Sequence, residues 1–155
     1  MINKIGNYFL TQEINSAEGL KEFSEEEYLM AENFGMRRTL EDEKMFNGIS
    51  VEFASIPWET TTISSTKGKI YKICLQLNST SKKSAKKVLS TVVKFINKET
   101  GRYNEHPFLS DKYIWDTPEG NIILYSMSKF NIHSVNILFT SNIIREQISK
   151  LQKDG

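Results

Sequence analysis

The chain has 155 residues but only one cysteine, three prolines, two histidines and four arginines. Each scarcity excludes something. With Cys74 alone, no internal disulfide can form, which fits a reducing compartment. His106 and His133 lie 27 positions apart with no Cys or His at ligand spacing, so no metal set is implied. No Gly-x-Ser-x-Gly, no His-Glu-x-x-His and no phosphate-cradling glycine loop occurs, so no catalytic constellation and no cofactor is expected. No apolar run reaches the ~18 residues of a membrane span, and Met1 to Gly6 lacks a signal-type apolar core. The expected setting is the cytoplasm, away from membranes. Three prolines leave no Pro-rich linker, and no repeat appears, so residues 1–155 read as a single domain.

What the chain does have is charge sorted along its length. Residues 1–60 carry 5 Lys+Arg against 12 Asp+Glu, a net of −7, and residues 61–155 carry 15 against 7, a net of +8. The overall +1 conceals this. Such a split means either two halves that attract each other or a surface that meets a charged partner. Lysine outnumbers arginine 16 to 4, which weighs against base and phosphate reading by bidentate guanidinium forks.

Residues 1–47 read as a helical and irregular lead-in. Ser24-Glu25-Glu26-Glu27 is a capping box, with Gly35 as a stop, so a short helix is expected from about 25 to 34. From residue 48 the period changes to two. Ile49, Val51 and Phe53 alternate with polar neighbours, Thr60 to Thr66 is β-prone, and Ile70 to Leu77 alternates again beyond the Lys67-Gly68-Lys69 turn. Residues 82–98 place Ala85, Val88, Leu89, Val92, Val93, Phe95 and Ile96 on one helical face and lysines on the other. A second β block follows. Lys112 to Asp116 and Asn121 to Met127 flank the turn Thr117-Pro118-Glu119-Gly120, and Ser134 to Thr140 alternates. Apolar residues on both faces of Ile122 to Tyr125 suggest a central strand. Ile144, Ile148 and Leu151 mark a C-terminal helix within 141–155. The expected fold is α+β, in the order α-βββ-α-βββ-α. It has a largely antiparallel sheet of about five to six strands over a core of 48–140, with one long amphipathic helix on one face.

The lysine face of helix 82–98 is the main candidate binding surface. Lys82, Lys83, Lys86 and Lys87 occupy the first two turns, where the helix dipole disfavours cations by about 0.3–1 kcal/mol each. Stability alone would not put them there. Ser79, Thr80 and Ser81 with the free helix-start amides could hold a phosphate or carboxylate; equally, a solvated basic face neutralised by the acidic lead-in needs no ligand. Interleaved aromatics and arginines, which nucleic-acid binding favours, are missing from this helix. Trp58 and Trp115 at strand ends are either partner anchors or packing residues. Cys74 with His133, and Asp116 with Glu119 and His133, are the remaining conceivable reactive groups. Ordinary strand and turn roles explain all of them.

The hairpin Tyr113-Ile114-Trp115-Asp116-Thr117-Pro118-Glu119-Gly120-Asn121-Ile122-Ile123-Leu124 resembles one in small uncharacterised bacterial α+β proteins. There too a segment like Gly68-Lys69-Ile70-Tyr71-Lys72-Ile73 precedes the amphipathic helix. The resemblance covers roughly residues 48–140; it implies an architecture and carries no activity. The element order also loosely resembles type III secretion chaperones, although those are strongly acidic overall. The expected function is therefore non-catalytic protein binding, in an immunity, regulatory or chaperone-like role. The partner would carry an acidic patch, and the expected contacts are Lys82, Lys83, Lys86, Lys87, Lys94 and Trp115. Nucleic acid or a phosphorylated ligand on the lysine face is the alternative.

Overall fold

The protein is described here from a computed structural model covering residues 4–33, 38, 40, 42–79, 81–102 and 112–142. Its main sheet has seven strands, all pairs antiparallel. In chain order these are β3 (Lys21–Glu22), β4 (Lys44–Asn47), β7 (Thr60–Thr66), β8 (Lys69–Ser79), β9 (Lys112–Asp116), β10 (Gly120–Lys129) and β11 (Ile132–Ser141). Across the sheet the order is β3-β4-β7-β8-β11-β10-β9. Two small hairpins, β1 (Lys4–Ile5) with β2 (Tyr8–Phe9) and β5 (Glu52–Phe53) with β6 (Ile56–Pro57), stand apart from it. Among the described residues the α-helices are α1 (Glu25–Asn33) and α2 (Lys82–Thr100).

Local chemistry explains the joints. Lys67 and Gly68 take φ of 51° and 74°, and Phe130 and Asn131 take 52° and 63°. Two-residue loops with both φ positive twist in the same sense as the strands they join. In the β9–β10 turn the Thr117 hydroxyl donates to the Gly120 carbonyl at 2.8 Å. A side chain at Gly120 would collide with the Thr140 carbonyl, so the turn can close only on glycine. α2 begins at Ser81, whose hydroxyl accepts from the Ser84 amide at 3.2 Å. It ends at Gly101 in the left-handed conformation, φ 67°.

Ala85, Leu89, Val92 and Ile96 form the buried stripe of α2. They face Ile73 and Leu75 of β8, Val135, Ile137 and Phe139 of β11, and Ile122 and Leu124 of β10 in one core cluster. Burying each of the larger side chains is worth roughly 1.5–3 kcal/mol. The two small hairpins complete this face with Ile5, Tyr8, Phe53 and Trp58. The Phe53 ring meets Phe95 and Phe139 edge-on, with centroids 5.1 and 5.4 Å away. The crossover from β8 through α2 spans β11 and β10 to the far edge, and the β9-β10-β11 meander then returns to β8.

Three expectations need correction. The sheet has seven strands, not five to six, because the lead-in 1–47 contributes β3 and β4 beside its helix. Those strands span two and four residues, too short for a period-two signal. The sheet's centre is β8; β10 is next to the edge strand β9, with only Ile122 and Leu124 of its apolar run fully buried. Of the strand expected around Ile49, Val51 and Phe53, only Glu52 and Phe53 are strand, paired with Ile56–Pro57 across a reversal at Ala54 and Ser55, φ 55° and 61°. The C-terminal helix expected within 141–155 and the stop at Gly35 lie outside the described residues.

Trp115 is 2% exposed and sits at the β9 end of the core, where its indole N–H donates to Asn97 Oδ1 of α2 at 2.9 Å. Its ring therefore joins an edge strand to the helix and offers no contact surface. Replacing Asn97 with Ala leaves that indole N–H buried without this acceptor. We expect a loss of about 1–3 kcal/mol, measured as a lower denaturant midpoint at unchanged slope.

Candidate functional site

α1 and α2 lie on opposite faces of the sheet. α2 covers the face of Ile63, Ile73 and Leu75. α1 is tied to the other face, where the Asn47 amide donates to Glu27 and the Met45 backbone N–H donates to the Tyr28 hydroxyl at 3.0 Å. Asn47 pairs with Thr62, whose side chain points away from the Ile63 face by strand alternation. The capping box holds α1 as expected: Ser24 Oγ accepts from the Glu27 amide at 3.2 Å, and Glu27 Oε1 accepts from the Ser24 amide at 3.1 Å. These bonds, with Asn47 the strongest influence, hold the Glu27 carboxyl below its usual range. The acidic helix and the lysine helix are thus separated by the thickness of the sheet, and α1 does not neutralise the basic face.

Lys82, Lys83, Lys86, Lys87 and Lys94 are all exposed, as is Lys98. Among the described residues no ion pair involves them. No acidic residue stands in the first turn of α2. Two of the neighbouring hydroxyls, Ser79 and Ser81, already bond to the helix start. Ser81 caps the helix, and Ser79 Oγ accepts from the Ser81 amide and donates to its carbonyl, both at 3.1 Å. The helix start is thereby less suited to enclosing a phosphate than the sequence implied, while the lysine ammonium groups stay open to solvent.

The other candidate groups do not converge. Asp116 pairs through Asn121 with Thr140, seven positions along β11 from His133, a separation of about 24 Å. Cys74 pairs with Leu138, whereas His133 shares the opposite face with Val135 and Ile137. His133 Nδ1 instead meets the Ser128 hydroxyl across the β10–β11 hairpin at 2.6 Å, an ordinary cross-strand contact with no carboxylate bonded to it among the described residues. No group of three or more metal-ligating side chains occurs among the described residues. No described helix is long and apolar enough to cross a membrane. Trp58, like Trp115, is 2% exposed, and its indole donates to the Phe53 carbonyl at 3.1 Å. His106, Asp111 and Thr80 lie outside the described residues.

Sequence reasoning missed a groove of about 490 Å³ on the second sheet face. Strand register builds its floor. Thr60, Gln76, Asn136 and Tyr125 stand in one row across β7, β8, β11 and β10, and Asn78, Ser134 and Met127 stand in the next. One wall is α1, with Met30 and Ala31; the other is the end of the β10–β11 hairpin, with Phe130 and Ile132. A signal for it existed. The positions beside the groove, Thr60, Thr62, Gln76, Asn78, Ser134 and Asn136, are polar and uncharged, and Lys72 and Lys112 stand farther along the same face.

Cys74 lies beneath this face at 5% exposure, and burial pushes its thiol up to about 11. Burial likewise raises the Tyr125 phenol to about 12. Both groups therefore ionise first in the unfolded chain. The Cys74 contribution to stability is present below pH 9.0 and lost as pH rises toward 11, and that of Tyr125 is lost between pH 10.0 and 12. We expect the denaturant midpoint to fall over that range, and Cys74→Ala to lessen the fall. A thiol reagent should label Cys74 slowly in the native protein and rapidly in denaturant.

No family model, no curated protein and no solved structure matches this chain.

Proposed function

We propose that this is a non-catalytic protein-binding domain that docks an acidic partner surface on the lysine face of α2. The observation supporting this is the exposure of Lys82, Lys83, Lys86, Lys87 and Lys94, with the acidic helix α1 on the other side of the sheet. Four cations crowd the positive end of the helix dipole, a placement that lowers helix stability. A partner carrying carboxylates offsets that repulsion, whereas water only screens it. An immunity, regulatory or chaperone-like role in a bacterial cytoplasm suits such a module. Trp115 is left out of the contact set because its ring is spent on the Asn97 bond.

The test replaces Lys82, Lys83, Lys86 and Lys87 with Gln. Partners are recovered from the source cell with parent and variant, and the affinity of the recovered partner is measured against salt. The expected result is an acidic protein whose affinity drops about tenfold or more in the variant and loses most of its salt dependence. The variant itself should be at least as stable as the parent, since neutral side chains remove the conflict with the dipole. Equal partner affinity in parent and variant would overturn the proposal. Binding of the parent to nonspecific DNA or RNA in low salt, lost in the variant, would turn the assignment to nucleic acid.

A further inference from the structure

α1 and α2 each turn one face to solvent, and the two faces are opposite in charge. α1 has nine residues and none of them is buried. A helix that short is marginal by itself, and its capping box and its bonds to Asn47 and Met45 hold it on the sheet. Glu25 and Glu26 are exposed, and among the described residues neither forms an ion pair. Leu29 follows them by four and three positions, so it shares their face. It is 62% exposed and lies outside the core cluster. The solvent face of α2 is the counterpart. Lys83, Lys87 and Lys94 recur at i, i+4 and i+11, a straight row roughly 16 Å long. The exposed positions between Lys87 and Lys94 are the small Ser90 and Thr91, which leave room for another helix to approach. No large apolar side chain of α2 is exposed. Lysine stems can nevertheless cover a leucine while their ammonium groups reach a carboxylate.

We propose that α1 of one copy docks head to tail on the lysine face of α2 in a second copy. This rests on the lysine face being a docking surface for carboxylates, and it names what occupies that face before a foreign partner arrives. Charge selects the arrangement. An α2–α2 contact would set ammonium against ammonium, and an α1–α1 contact would set carboxylate against carboxylate. Only α1 on α2 brings Glu25 and Glu26 to the lysines, with Leu29 over Ser90 and Thr91 among the lysine stems. A closed two-fold pair using both helices would need them on one side of the molecule, and they stand on opposite faces of the sheet. The contact is therefore heterologous, and each added copy leaves one acidic and one basic face open, so the assembly grows as a chain. A more acidic partner competes for the same lysines and dissolves it. Self-association thus sets a threshold for partner docking.

Sedimentation over a concentration series tests this. At about 0.01 M salt, where the screening length is about 30 Å, the parent's mean mass should rise with concentration; at about 1 M, where it is about 3 Å, the parent should be a monomer. Glu25→Gln together with Glu26→Gln should raise the dissociation constant about tenfold or more. That variant keeps Ser24 and Glu27, so its capping box and fold persist, checked by circular dichroism. Leu29→Ala leaves every charge in place and should raise the constant about fivefold. Mixing separates this contact from nonspecific attraction. The glutamate variant lacks the acidic face, and the variant with Gln at Lys82, Lys83, Lys86 and Lys87 lacks the basic one. Together they should form a one-to-one complex and stop there, because both remaining faces are blocked. A parent that stays monomeric at low salt overturns the proposal. So does self-association unchanged in the glutamate variant, or a mixture that forms no one-to-one complex or grows past it. If the parent is monomeric yet binds an acidic protein from the cell through its lysines, this proposal alone falls. If the parent assembles as described and no acidic protein is recovered, the self-contact stands and the foreign-partner reading falls.

Discussion

The contact of the α2 apolar stripe with the middle of the sheet is the constraint from which the rest follows. Ala85, Leu89, Val92 and Ile96 must lie on Ile73, Leu75, Ile137 and Leu124. Because strand side chains alternate, that contact fixes which residues of every strand face the core. It also turns the lysines of α2 outward and turns Thr60, Gln76 and Asn136 toward the other face. Both candidate surfaces are thus consequences of a single packing decision.

The sheet then acts as an insulator. Acidic α1 is anchored to one face by Asn47 and Met45, and basic α2 covers the other. Opposite charges that attract along an unfolded chain are kept apart once the sheet lies between them, and each is left facing solvent. Among the described residues, the Lys69–Glu13 ion pair at 3.9 Å is exposed on both sides and of little weight. The two surfaces differ in chemistry as well as position. One is a row of ammonium groups, and the other is an almost uncharged trough with an aromatic at its lip.

Strand β7 shows what such a layout demands. Thr61 through Thr66 are buried although five of the six are hydroxyl residues. The strand lies between β4 and β8 in the sheet, with Ile63 in the core cluster and Thr62 at the groove. Asp42 helps satisfy its end, accepting from the Thr66 hydroxyl at 2.7 Å and the Lys67 amide at 2.9 Å. Those bonds hold the Asp42 carboxyl below its usual range. Thr61 Oγ1 has no partner, so this region spends some stability on a polar core strand.

Sequence alone determined the elements whose signals are local and long. The Ser24 capping box, the α2 amphipathic repeat, the Lys67-Gly68 and Thr117–Gly120 turns, and the alternation in β8 and β11 all depend on neighbours within a few residues. Only the tertiary structure decided the rest. The short strands β3 and β4 exist because distant β7 pairs with them, Trp115 is interior because Asn97 meets it, and the groove exists because register aligns residues from four strands. Those facts depend on contacts between residues far apart in the chain, and a periodicity read along the chain carries no information about which strands become neighbours.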